Sequence, residues 1–119
     1  MRLDALLGRI ADQPVTLWPD DAGATEVTAV VHDTRALSPG ALFCCVVGAH
    51  VDGHDLAASA VERGATALLV ERPVGAGVPE VRVPSVRDAL GPVAAAFWDA
   101  LSSNSKIIAS GTPLLRGGG

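Results

Sequence analysis

The stretch L-F-C-C-V-V-G-A-H-V-D-G-H-D-L-A-A-S-A-V-E-R-G-A-T-A-L-L-V-E (42–71) decides the architecture. Its first six residues form an unbroken apolar run bounded by glycine, the pattern of a central strand covered on both faces. Residues 48–54 hold two glycines and two histidines and read as a loop. Asp55 is placed to cap a helix running through Glu62, and Gly64 sits where that helix would end. Residues 66–71 (TALLVE) form a second buried strand. A strand–helix–strand unit of this length favours parallel strands joined by a crossover. Cys44 and Cys45 are adjacent on the first strand, so they point to opposite faces and cannot readily bridge. They read as two reduced, buried thiols.

Working outward, Leu3, Leu6, Leu7 and Ile10 recur at helical spacing and predict a short amphipathic helix over 2–10. Residues 15–18 and 26–31 are strand candidates, the second rich in β-branched residues. His32-Asp33-Thr34-Arg35 leaves that strand as a loop, and Ser38-Pro39-Gly40 is a turn signal. Downstream, 72–79 reads as a loop, and 80–83 as a short strand at or near an edge because prolines flank it. Ser85 with Asp88 resembles a capping box that opens a helix through Leu101, which Gly91-Pro92 should kink. The expectation is an α/β domain: a small mixed or parallel sheet flanked by helices in a single domain.

Composition narrows the function. The 119 residues carry 9 basic and 13 acidic side chains, 49% hydrophobic and 18% charged. That is one ordered domain. A net charge of −4 without a basic cluster argues against nucleic acid as a partner. No apolar run approaches the roughly 18 residues of a membrane span, and charges interrupt any leader after Met1, so a cytoplasmic location is expected. Residues 102–119 differ in composition from the body, holding the only Lys (Lys106) and the only Asn (Asn104) and ending Arg-Gly-Gly-Gly. Residues 1–101 are therefore read as the domain and 102–119 as an atypical, flexible tail.

Clustered polar groups fall in 32–35 and 48–55, both following strands, where open α/β sheets collect ligands. Gly48 and Gly53 could bring backbone amides to a phosphate at the start of the next helix, with Arg35, Thr34, His32 and His50 as donors. Against this, Asp33, Asp52 and Asp55 place negative charge there. The glycines match no phosphate-loop fingerprint and serve equally as turns, with Asp55 as cap. His50, Asp52 and His54 at alternate positions could hold a metal, although the glycines disfavour the regular strand this requires. Arg35 and Asp52 could form a loop–loop salt bridge with no ligand at all. Ser38, Ser59 and Ser85 have ordinary turn, helix and cap roles, and no nucleophile elbow occurs.

Taken together, V-V-H-D-T-R-A-L-S-P-G-A-L-F (30–43), V-G-A-H-V-D-G-H-D (47–55), A-V-E-R-G-A-T-A-L-L-V-E (60–71) and V-R-V-P-S-V-R-D-A-L-G-P-V-A-A-A-F-W (81–98) resemble the N-terminal domain of the Mur ligases. Within that family the wording is most like the branch that adds a third amino acid, diaminopimelate or lysine, to UDP-N-acetylmuramoyl-L-alanyl-D-glutamate. The branch that adds D-alanyl-D-alanine is the alternative. The resemblance implies a domain that binds a nucleotide-sugar peptide, part of an enzyme that activates a carboxylate with ATP and magnesium and forms an amide. Carried over, uridine-diphosphate contacts fall on His32, Thr34 and the loop Ala49-His50-Val51, while Arg35, Asp52 and Gly53 match the pattern and hold the loops. Thr34 stands where the family commonly has Ser and keeps the hydroxyl. Residues 102–112 do not place Gly-Lys-Thr at phosphate-loop spacing. No cofactor is therefore expected for this chain, and it should not catalyse ligation alone. The competing expectations are a stand-alone structural or interaction module and a metal-dependent enzyme.

Overall fold

The computed structural model describes residues 1–10 and 14–108, with 101–108 as helix backbone only. Its elements are α1 (Leu3–Leu7), β1 (Thr16–Trp18), β2 (Ala29–Val31), β3 (Ala41–Cys44), α2 (Ala57–Glu62), β4 (Ala67–Val70), β5 (Glu80–Arg82) and α3 (Val86–Ile108). The five strands form one sheet in the order β1-β5-β4-β3-β2. β2, β3, β4 and β5 run parallel, and β1 joins β5 antiparallel. The sheet is thus mixed, as expected, and the β3–α2–β4 crossover predicted from residues 42–71 is present.

All four residues of β3 and all four of β4 are buried, which explains their unbroken apolar runs. Alternation sorts them between two cores. Leu42, Cys44, Ala67 and Leu69 face α1 and α3 together with Leu3, Leu6, Val86, Val93 and Phe97. Phe43, Cys45, Leu68 and Val70 face α2 through Ala57 and Ala60. The two cysteines are accordingly free, buried and on opposite faces. Burial pushes the Cys44 thiol far above its ordinary value and the Cys45 thiol up to about 12, so neither is a nucleophile at neutral pH.

Several boundaries shift for identifiable reasons. β2 starts at Ala29 rather than residue 26 because residues 25–27 pair with the amino terminus instead. The Leu3 amide donates to the Thr25 carbonyl (2.8 Å) and the Val27 amide to the Met1 carbonyl (2.7 Å). That pairing uses Arg2 as a bridge residue, so α1 begins one residue later than its periodicity suggests. β5 lies one strand in from the edge, with β1 shielding it. α3 runs through Pro92, and its backbone continues past Leu101 to Ile108. Residues 109–119 of the compositional tail lie outside the described residues. Gly64 does end α2, at φ +115°, and a Cβ there would meet Pro39 Cα at 2.8 Å. The 38–40 turn therefore packs directly on the helix terminus.

The parallel strands β4 and β5 are joined without a helix. The connection 71–79 instead lays Val74, Ala76 and Val78 against the α2-side core. Glu80, only 1% exposed, pins it: its carboxylate accepts from the Val74 amide at 3.2 Å and the Gly75 amide at 2.9 Å. Arg82 Nη2 donates to its other oxygen at 3.4 Å. Removing this acceptor strands two amides at the core margin. Glu80→Ala is therefore expected to lower unfolding free energy by about 2–3 kcal/mol. Amide exchange at Val74 and Gly75 should quicken, and exchange at the wild-type rate would contradict this assignment.

Candidate functional site

Because β2 to β5 are parallel, their carboxyl ends share one edge of the sheet. That edge carries 32–36 after β2, 45–53 after β3, 71–72 after β4 and the start of α3 after β5. The two loops flagged from sequence thus leave neighbouring strands on the same side.

In the first loop, Thr34–Ala36 form a single 3-10 turn opened by Asp33, which is extended and accepts from the Arg35 amide at 2.9 Å. Arg35 also donates from Nη2 to Asp33 at 2.8 Å, leaving its side chain 88% exposed. The Arg35 guanidinium and amide hold the Asp33 carboxyl down at about 2. His32 is exposed and Thr34 half-buried.

The second loop is a small hairpin. The Gly48 amide donates to the Val51 carbonyl (2.8 Å), Val47 bridges Asp52, and the Gly53 amide donates to the Val46 carbonyl (2.9 Å). Val47, Gly48, Ala49, His50 and Val51 are all exposed at its tip. Gly53 is buried, and a Cβ there would meet the Val46 nitrogen at 2.7 Å and Cys45 backbone at 2.9 Å. Glycine is required because the chain folds back onto the end of its own strand.

Beneath the hairpin, Asp52 takes the cap role that the sequence suggested for Asp55. Extended at φ −97°, Asp52 aims its carboxylate at the His54 amide, 2.9 Å away, and opens the 3-10 turn Gly53–Leu56 that leads into α2. Asp55 lies inside that turn and α2 has no side-chain cap. The same Asp52 oxygen lies 2.7 Å from His54 Nδ1, and its other oxygen accepts from Arg72 Nη2 at 2.8 Å. These donors, the His54 amide first, hold the Asp52 carboxyl well below the usual carboxylate range. His54 Nε2 accepts from the Glu71 amide at 2.9 Å. A ring nitrogen that accepts carries no proton, so the proton is on Nδ1 and points at Asp52. Glu71 in turn accepts from the Val86 amide at 2.9 Å, and Arg87 Nη2 donates to the Val47 carbonyl at 2.8 Å.

This geometry settles several sequence readings. Arg35 and Asp52 do not pair; each has its own partner, Asp33 and Arg72 respectively. The metal reading of His50, Asp52 and His54 fails because both His54 ring nitrogens are committed within the protein. Among the described residues no cluster of three or more His, Cys, Asp or Glu could hold a metal ion. The amides of Gly48, Gly53, His54 and Asp55 all have internal acceptors, so these four are not free to cradle a phosphate. What the edge offers a ligand is the exposed tip 47–51, His32, and the 3-10 turn containing Thr34 and Arg35. Arg72, Glu71 and Arg87 were missed. The rule that pointed to the ends of β2 and β3 applies equally to the ends of β4 and β5, and would have found them.

Two outcomes follow from this network. His54→Ala leaves the Glu71 amide without its acceptor and should cost about 2–3 kcal/mol in urea unfolding; a neutral change would contradict the bridging role. Asp33 and Asp52 are both more acidic folded than unfolded, so each adds stability above the ordinary carboxylate value of about 4. That contribution is lost as pH falls through the folded-state values. Stability should therefore decline below pH about 4, less steeply in Asp52→Asn than in wild type. Parallel acid titrations would contradict this.

Three comparisons with known proteins bear on the edge. A family model described as "Mur ligase family, catalytic domain" matches residues 26–98, a span that holds both loops. The chain is 44% identical over 98 residues to UDP-N-acetylmuramoyl-L-alanyl-D-glutamate–2,6-diaminopimelate ligase of Geobacillus thermodenitrificans, covering 82% of this chain and 19% of that protein. It is 49% identical over 80 residues to UDP-N-acetylmuramoyl-tripeptide–D-alanyl-D-alanine ligase of Mycobacterium tuberculosis, covering 66% and 14%. Its fold matches UDP-N-acetylmuramoylalanyl-D-glutamyl-2,6-diaminopimelate–D-alanyl-D-alanyl ligase from Acinetobacter baumannii with a TM-score of 0.66 at 26% identity, over 76% of this chain and 20% of that one. The chain spans about a fifth of the length of these relatives or less. No helix among the described residues is long and apolar enough to cross a membrane.

Proposed function

The chain belongs to the Mur ligase family, and from that premise we propose that it is the domain holding the nucleotide end of a UDP-N-acetylmuramoyl-peptide for an amide-forming ligase of peptidoglycan synthesis. One observation carries the reading: the two loops that match the family wording leave adjacent parallel strands at the carboxyl edge and present their tips outward. Thr34 with His32 on one side and Ala49, His50 and Val51 on the other meet the uridine diphosphate. Asp52 and Gly53 shape the second loop from beneath, and Arg35 orders the first through Asp33. The parent enzyme works in the cytoplasm, where reduced thiols such as Cys44 and Cys45 persist.

ATP and magnesium serve the parent's carboxylate activation and belong to parts of such a ligase beyond this span. Identity over 82% of the chain favours the diaminopimelate- or lysine-adding branch, while 49% identity over a shorter stretch favours the D-alanyl-D-alanine-adding one. Both branches hold the same nucleotide, so the assignment of the loops is common to them.

Calorimetric titration of the chain with UDP-N-acetylmuramoyl-L-alanyl-D-glutamate tests the proposal. Binding with a dissociation constant on the order of 1 mM or tighter is expected, since most of the parent's contact surface lies elsewhere. No heat of binding at millimolar ligand would favour a structural or interaction module instead.

A further inference from the structure

Five residues at the tip of the second loop, 47–51, are exposed, and the tip has one internal hydrogen bond of its own, from the Gly48 amide to the Val51 carbonyl. Its position on the edge is set from outside. Arg72, the second residue after β4, reaches Asp52 at the loop's descending end. Arg87, in the first turn of α3, reaches the Val47 carbonyl at its ascending end. The two guanidiniums grip the hairpin at opposite ends of its base, 20 and 40 residues away in sequence.

We infer that Arg72 and Arg87 are positioning residues, which together set the placement of the 47–52 hairpin on which nucleotide binding depends. The inference rests on the reading of that hairpin as a substrate loop. Each arginine has an Nη2 committed to the loop base, so each acts through the hairpin. The fold has little use for them otherwise. Arg72 is half exposed (52%), and an ion pair at such a surface adds little to global stability. The buried load beneath the loop is borne by His54, between Asp52 and the Glu71 amide. Arginine at these two sites therefore influences the shape of the loop far more than the stability of the domain. Lysine at 72 keeps the charge and most of the reach, so it retains the Asp52 contact in part.

The test uses the full chain in six forms: wild type, R72Q, R72K, R87Q, D52N and the double variant R72Q/D52N. Each is titrated with UDP-N-acetylmuramoyl-L-alanyl-D-glutamate and melted without ligand. R72Q and R87Q are expected to weaken binding about fivefold each, R72K to recover most of that loss, and D52N to be non-additive with R72Q. Melting midpoints of R72Q, R72K and R87Q should stay within about 2 °C of wild type. Wild-type affinity in both R72Q and R87Q would overturn the inference while leaving the substrate reading intact. Affinity that falls only in proportion to the melting midpoint would overturn it as well, by reducing both arginines to structural roles. A wild-type chain that fails to bind at all would overturn the substrate reading first, and this inference with it.

Discussion

His54 stands where the two central strands end, and its ring nitrogens are committed in opposite directions. Nε2 accepts from the Glu71 amide just beyond β4, while Nδ1 donates to Asp52 beyond β3. The imidazole itself is buried, its side chain only 1% exposed. A neutral ring with one fixed tautomer is the only form that satisfies both partners, because an added proton on Nε2 would face another donor. From that one side chain, hydrogen bonds run outward through Glu71 to the first turn of α3 and through Asp52 to Arg72. The exits of three parallel strands are thereby tied into one surface.

The consequence for chemistry is a division of labour along the edge. The groups that a phosphate would ordinarily seek, the glycine amides and the start of the helix, are spent on internal bonds. The exposed groups are side chains and backbone at two loop tips, supported from below by capped turns. Asp33 and Asp52 repeat one device, an extended aspartate accepting from the amide two residues on. Each opens a 3-10 turn and each recruits one arginine, so two of the three negative charges that opposed an anionic ligand, Asp33 and Asp52, are neutralised locally.

The central strands and their crossover were legible because β3 and β4 are buried on both faces and announce it in uninterrupted apolar runs. Cys44 and Cys45 were assigned to opposite faces on period alone, and the two cores bear that out. Elements at the margin were less legible. The pairing of residues 25–27 with the amino terminus shortened both α1 and β2, and no local propensity signals a contact of that sequence separation. The site divides the same way. Loops 32–35 and 48–53 carry recognisable wording, and the structure places both at one carboxyl edge. Arg72 and Arg87 lie in unremarkable contexts, and only the shared carboxyl edge brings them to the loop. Asp55 was mistaken for the cap because an aspartate before a helix is a common signal. The extended backbone at Asp52 decides between them, and sequence does not display it.

The central claim is that a nucleotide sugar sits on the carboxyl edge, between the loops after β2 and β3. Mapping amide chemical-shift changes in the labelled chain during titration with UDP-N-acetylmuramoyl-L-alanyl-D-glutamate tests it most directly. Shifts concentrated at 32–36 and 47–53, with β1 and α1 unaffected, are the predicted result. Shifts centred on β1 or the outer face of α3, with both loops silent, would contradict it.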